Sequence, residues 1–226
     1  IIYFEQNQFL IIHFGMSGTL HLVKKNNYNK TNLSFYNSEN LPKKHNHIII
    51  FFKNFKIIYN DPRRFGYLKY FKCYKKMNFF FSNIGLEPLD KNFNLNYLKK
   101  IIINKNKNIK NFLLDQKYIS GIGNIYANEI LYYSKINPYK NVKKLNISDL
   151  KKIIYFSKFI LKKAIKKGGS TIRDFKNTKG IAGAFQNEFK VYNRENKNCL
   201  NKRCLGKIIK VFISNRSSYF CKNCQK

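Results

Sequence analysis

A chain of 226 residues is long enough to bury two cores of its own. Its apolar runs stop at a handful of residues, "HIIIFF" being among the longest, and no secretory leader is visible, so a membrane span is excluded and a soluble, cytoplasmic protein with no membrane partner is expected. The net charge of +33 points instead to a polyanion, nucleic acid first.

Composition tempers the charge. Lys, Asn, Ile, Phe and Tyr crowd the whole chain, the bias of an A+T-rich genome, so part of the excess is solvated surface. Against that background the uncommon residues carry information. Of 44 basic residues only Arg63, Arg64, Arg173, Arg194, Arg203 and Arg216 are arginine, the side chain whose planar fork suits phosphates and bases. The eleven glycines cluster in "GMSG", "RRFG", "NIGLEP", "SGIGN", "KKGGS", "KGIAG" and "CLGK", where the backbone turns sharply or approaches something closely.

In chain order, residues 1 to about 80 alternate apolar and polar positions in "QFLIIHFGMSGTLHLV" and "HNHIIIFFKNFKIIYNDPRRFGYLKYF", which predicts strands joined by tight turns, one at "KNFK". A linker is expected near "GLEPLDKNFN". From Leu95 the period becomes helical. "NFLLDQKYI" and "IYANEILYYSK" read as two helical pieces around "SGIGN", with Asn124 as a cap. Such a glycine-flanked helix N-terminus is either an anion site or an ordinary helical hairpin turn. The segment "NISDLKKIIYFSKFILKKAIKKGG" puts Leu150, Ile153, Ile154, Ser157, Ile160, Leu161, Ala164 and Ile165 on one face, with Ser148 as N-cap and Gly168 and Gly169 as the stop.

Four of the five cysteines lie at the C-terminal end. Cys199 and Cys204 form a C-x4-C knuckle, and Cys221 and Cys224 a C-x2-C knuckle sixteen residues on, the spacing of a tetrahedral zinc site. Two disulfides are the alternative, and a reducing compartment disfavours them. Cys73 reads as a buried core thiol rather than a ligand. Between the knuckles "KIIKVFIS" and "SYFC" form a hairpin with "NR" at the bend, so Arg216 stands at or beside its tip. Spacing alone leaves that tip as either a functional arginine or a solvated turn.

Taken together, "HFGMSG", "KKHNH", "DPRRFG", "IGLEPL", "LLDQKYISGIGNIYANE", "GGSTIRDF", "GAFQNEFKVY" and "NRSSYFCKNCQ" give the chain a resemblance to the bacterial formamidopyrimidine-DNA glycosylases, running from Ile1 to Lys226. The resemblance implies an α+β fold: an N-terminal β-sandwich, incomplete at its start, over residues 1–88; a helix-two-turn-helix domain over 89–190; and a β-hairpin zinc finger over 191–226. It implies excision of oxidised purines from double-stranded DNA by a monomer, with zinc as the structural metal, in a bifunctional glycosylase and apurinic-site lyase.

Residue roles follow from the same resemblance. A glycosylase must flip its target out of the duplex, and Met16, Arg63 and Phe65 match the residues that fill the vacated stack. His45, Lys105 and Asn124 match backbone contacts. Arg216 matches the arginine that grips phosphates beside the flipped nucleotide and is also assigned the acid of the last elimination step. A guanidinium with a pKa above about 12 is a poor proton donor, so the phosphate grip is the stronger of these roles. "GSTIRDFKNTKGIAGAFQ" matches a loop that closes over the damaged base.

Three departures stand beside these matches. The family's N-terminal proline nucleophile, the glutamate after it and an assisting lysine have no counterpart, because Ile1 aligns just beyond that lysine. The expectation is therefore a longer natural protein, with the 226 residues alone binding DNA but not cutting it. The first knuckle is wider than the common C-x2-C, and Asn193 replaces a usual glycine. Two alternatives are an endonuclease VIII-type enzyme for oxidised pyrimidines, against which "DPRRFG" and the methionine of "GMSG" argue, and a non-catalytic zinc-finger protein that binds nucleic acid.

Overall fold

Period-two alternation becomes strand over the first third of the chain. In the computed structural model, which describes residues 1–24, 44–170 and 183–226, two compact units form, one of Ile1–Ser82 and one of Asn83–Gly169 with Ala184–Lys226. The "GSTIRDFKNTKGIAGAFQ" expectation falls mostly on 171–182 and, with Arg173, lies outside the described residues. No helix among the described residues is long and apolar enough to cross a membrane.

The first unit holds strands β1 (Ile2–Phe4), β2 (Gln8–His13), β3 (Thr19–Lys24), β4 (Asn46–Phe51), β5 (Phe55–Asn60) and β6 (Tyr67–Phe71). They build two antiparallel three-stranded sheets in the orders β1-β2-β6 and β3-β5-β4. Alternation along β2 puts Phe9 and Ile11 on one face, where they pack with Phe71 and with Met77 of helix α1 (Tyr74–Phe81). Cys73 is not in this core. It is half-buried at the N-cap of α1, because the chain turns there from strand to helix. Two loops, 14–18 and 61–66, carry the chain from one sheet to the other, and both are functional candidates.

The second unit is helical: α2 (Leu95–Ile102), α3 (Ile109–Leu114), α4 (Asn124–Ser134) and α5 (Ile147–Lys166). Its core joins Phe93, Leu98, Ile109, Phe112, Leu113, Ile130 and Leu131 to Leu150, Ile153, Ile160 and Ala164 of α5. The spacing of the α5 residues follows the expected face except at its end, where Ile165 is exposed. The cap also differs from expectation. Asn146, not Ser148, closes the first turn in a reciprocal capping box with Asp149, and Ser148 lies inside the helix. Gly168 and Gly169 end it at positive φ of 71° and 87°.

Strands β7 (Ile208–Ile213) and β8 (Arg216–Cys221) close the chain as an antiparallel hairpin whose register pairs Ile213 with Arg216 and Ile208 with Cys221. Ser214 and Asn215, at φ of 48° and 59°, are the two bend residues. The bend therefore sits one residue before the expected "NR", and Arg216 opens β8 beside it. This is the mirror-image two-residue turn that matches strand twist.

Candidate nucleic-acid interface and metal centre

In the first unit the functional candidates hang on one buried carboxylate. Asp61 is fully buried and accepts from the Ser17 hydroxyl at 2.5 Å, the Gly66 amide at 2.8 Å, the Tyr59 hydroxyl at 3.1 Å and the Arg63 amide at 3.3 Å. Burial by itself would push this carboxyl up, but the bonds from Ser17, Gly66, Tyr59 and Arg63 outweigh it and hold it below the usual carboxylate value. Asp61 thus binds "DPRRFG" to itself and to "GMSG". Two glycines make the approach possible. A Cβ on Gly66 would lie 1.8 Å from the Tyr59 hydroxyl, and Gly15, at φ +59°, would put one 2.7 Å from the Phe65 carbonyl carbon.

These pinned loops present apolar side chains outward beside exposed arginines. Met16 is 73% exposed and Phe65 56% exposed, while the Arg63 guanidinium lies 4.9 Å from the Phe65 ring centroid. The structure thus brings Met16, Arg63 and Phe65 together on two adjoining loops. His45 joins them through its backbone: at φ +69° its carbonyl accepts from the Asp61 amide at 3.1 Å, and His47 Nε2 lies 2.9 Å from the Asp61 carbonyl. Asp61, Ser17 and Tyr59 were not among the sequence candidates.

In the second unit the "SGIGN" turn is bracketed by Gln116, whose Oε1 accepts from the Gly121 amide at 2.8 Å and whose Nε2 donates to the Ile122 carbonyl at 3.1 Å. Gly121 needs its glycine, at φ +79°. Gly123 does not: a Cβ there would meet nothing within 4 Å, so the space above it is open. Gly123, not Asn124, is the N-cap of α4, and no side chain caps the helix, which leaves first-turn N–H groups free of intrahelical partners. The positive end of the helix dipole lies there.

The Asn124 side chain has another task. Its Nδ2 donates to the Ser217 carbonyl at 3.0 Å, and the fully buried Lys110 Nζ donates to the same oxygen at 2.9 Å and to the Ser218 hydroxyl. Asn128 Oδ1 accepts from the Tyr219 amide at 2.7 Å. These bonds fasten β8 across α3 and the start of α4, and the exposed Arg216 directly precedes the residue they hold. Burial, and then the charge of Arg216, bring the Lys110 ammonium down to about 8. Lys105 makes a different contact, its Nζ 5.2 Å from the Tyr118 ring centroid, while neighbouring Lys107 is paired with Asp115 at 3.0 Å.

A second buried anion secures the approach to the knuckles. Glu129 accepts from the backbone amides of Lys190, Val191 and Tyr192 at 2.8, 3.0 and 2.9 Å, which ties that segment to α4. Burial pushes its carboxyl up and the three N–H groups oppose the rise. The sequence signal for it was a lone acid within the apolar run "YANEILYY".

The four knuckle sulfurs converge. Cys199, Cys204, Cys221 and Cys224 Sγ atoms all lie within 4.8 Å of one another, with Cys199 to Cys224 at 3.8 Å and Cys204 to Cys221 at 3.6 Å. A disulfide needs about 2.05 Å, whereas a tetrahedral ion with metal–sulfur bonds of about 2.3 Å sets its ligands about 3.75 Å apart. The set therefore fits a metal and not two disulfides. The Gly206 amide and Asn201 Nδ2 donate to Cys204 and Cys224 Sγ at 3.4 Å each, orienting two of the ligands.

Comparison with known proteins covers both units. Residues 1–68 match the model of the formamidopyrimidine-DNA glycosylase N-terminal domain, and residues 84–176 that of the formamidopyrimidine-DNA glycosylase H2TH domain. The formamidopyrimidine-DNA glycosylase of Rickettsia bellii (strain OSU 85-389) is 42% identical over all of this chain and 78% of its own length. That of Zymomonas mobilis is 39% identical with the same coverage. Among solved structures, Lactococcus lactis Fpg bound to DNA containing an abasic site aligns with a TM-score of 0.78 at 31% identity, over 97% of this chain and 76% of that one. MutM bound to DNA containing carbocyclic 8-oxo-G aligns at 0.79 and 31%, over 98% and 76%.

Proposed function

The chain belongs to the formamidopyrimidine-DNA glycosylase family, and from that premise we propose that its two exposed candidate surfaces grip and wedge duplex DNA at an oxidised purine. Family membership makes the protein a base-excision-repair DNA glycosylase, with apurinic-site lyase activity a property of the full-length form. In this reading residues 1–88 carry the wedge, residues 89–190 hold the backbone, and residues 191–226 form a finger that delivers Arg216.

A base inside a duplex is out of reach until it leaves the stack, and the gap it leaves must be filled or the duplex recloses. Met16 and Phe65 suit that filling, since both are apolar, exposed and fixed on loops that Asp61 holds rigid. Arg63, kept beside the Phe65 ring, is placed to donate to the base left without its partner. His45 and Lys105 contribute backbone contacts. At position 124 the outward group is the amide N–H at the start of α4, because the side chain is held by Ser217.

The observation that carries the reading is the convergence on the Ser217 carbonyl. Lys110 and Asn124, the first residue of α4, both donate to it, so the residue that follows Arg216 is fastened to the uncapped start of a helix with open space over Gly123. Two sources of positive potential thus share one place, which suits a phosphate. Zinc is the ion assigned to the four cysteines, and its role is structural: it closes the base of the hairpin.

Fluorescence anisotropy on two labelled duplexes, one with a tetrahydrofuran abasic analogue and one undamaged, tests the assignment. Tighter binding of the abasic duplex is expected, because a missing base lowers the cost of opening the stack. Equal affinity for both would remove the lesion-recognition reading.

A further inference from the structure

We infer that Asn111 and Ser214 form a latch between α3 and the hairpin turn that positions Arg216; the inference rests on the reading of Arg216 as a phosphate grip. Asn111 Nδ2 donates to Ser214 Oγ at 2.7 Å. Ser214 sits at φ +48°, a left-handed conformation that Asn and Gly take readily in this turn and serine does not. A serine there is explained by what its hydroxyl does, and the Asn111 amide is what it meets.

The geometry shows why the turn needs its own anchor. The metal ligand Cys221 pairs with Ile208 at the far end of the hairpin, five residues from Arg216, or about 17 Å along an extended strand. A two-stranded hairpin held only at its base is marginal and free to bend. Lys110 and Asn124 fix the strand at Ser217, on one side of Arg216. The Asn111 bond fixes the turn at Ser214, on the other side. Arg216 therefore lies between two anchored points. Asn111 is itself held on the first turn of α3, where its amide N–H donates to the Asn108 side chain at 2.8 Å. Consecutive residues of one helix, Lys110 and Asn111, thus reach the hairpin on both sides of the arginine. Asn111 and Ser214 are positioning residues: neither has to touch DNA for the latch to act.

The test is a double-mutant cycle on affinity for the tetrahydrofuran duplex, with Asn111→Ala and Ser214→Gly each made alone and with Arg216→Ala. Ser214→Gly removes the hydroxyl while suiting the left-handed turn, so a loss in that variant is not turn strain. Each latch variant is expected to bind about three- to tenfold more weakly, the scale of one hydrogen bond. The Asn111→Ala and Ser214→Gly pair should be no worse than either alone, and neither should weaken binding further once Arg216 is alanine. A merely structural role would instead give equal losses with and without Arg216, accompanied by a lower Tm, and would overturn the latch. Unchanged affinity in both latch variants, with a loss in Arg216→Ala, would also overturn it and leave the phosphate grip standing. If Arg216→Ala itself binds as well as the wild type, the phosphate-grip reading fails and the latch falls with it.

Discussion

Lys110 Nζ donates to the Ser217 carbonyl at 2.9 Å, joining the first turn of α3 to a strand 107 positions later. The ammonium is fully buried and faces no carboxylate in this contact; the charge that acts on it is that of Arg216, of like sign. Like charge and burial are unfavourable to it, and the arrangement therefore concentrates positive potential at the hairpin rather than maximising stability.

A pH dependence follows from that arrangement. In the folded chain Lys110 loses its proton near pH 8 instead of the ordinary 10.5. Between those values the unfolded chain holds the proton and the folded chain does not, so stability rises with pH, by at most ~1.4 kcal/mol per unit for one group. Lys110→Met should abolish that share of the rise. Denaturant titrations from pH 7.5 to 10 check it: the stability difference between variant and wild type should change steadily across the range, and a constant difference would contradict the buried, depressed lysine.

The metal prediction is stoichiometric. Purified protein should carry about one equivalent of zinc on Cys199, Cys204, Cys221 and Cys224. Cys221→Ser should lose both the ion and DNA binding, because a finger of this size depends on its metal to fold. Elemental analysis with thiol counting decides the matter; two disulfides and no zinc would refute the site.

Met16 and Lys105 separate wedging from simple attraction. With 73% of its surface exposed, Met16 contributes little to the core, so Met16→Ala should change stability by no more than ~0.5 kcal/mol, against ~2–5 kcal/mol for a buried methionine. It should narrow the preference for the abasic duplex while leaving undamaged DNA unaffected. Lys105→Ala should weaken both duplexes alike. Thermal melts and paired binding curves distinguish the two; a Met16 variant that melts early but keeps its preference would place the residue in the core.

Much of this was legible in the sequence where the signal was local. The two-residue period gave the strands of the first unit, the spacing of Leu150, Ile153, Ile160 and Ala164 gave the buried face of α5, and the cysteine spacing gave the four-cysteine cluster. Local signals also misled by a residue or two. Ser148 and Asn146 are both good caps, and only the reciprocal bond with Asp149, three positions after Asn146, decides between them.

The residues that hold the site were hidden for a different reason. Asp61 depends on Ser17, 44 positions away, and Lys110 on Ser217 and Ser218; neither pairing leaves a pattern in a short window. In a chain this rich in lysine nothing singled out Lys110 as driven into the interior. Asn124 was expected to cap its helix because it stood at the right place, but the side chain was recruited by a strand brought in from the C-terminal end.

The central claim is that a hairpin fastened at both ends holds the Arg216 guanidinium against a DNA phosphate. Its most direct test is the affinity of wild-type protein and Arg216→Ala for the tetrahydrofuran duplex, measured across a range of salt concentrations. If Arg216 grips a phosphate, the variant binds more weakly at every salt concentration and its plot of log affinity against log salt is shallower by about one unit, the loss of one counterion-releasing contact. Parallel salt plots with equal affinities would contradict it.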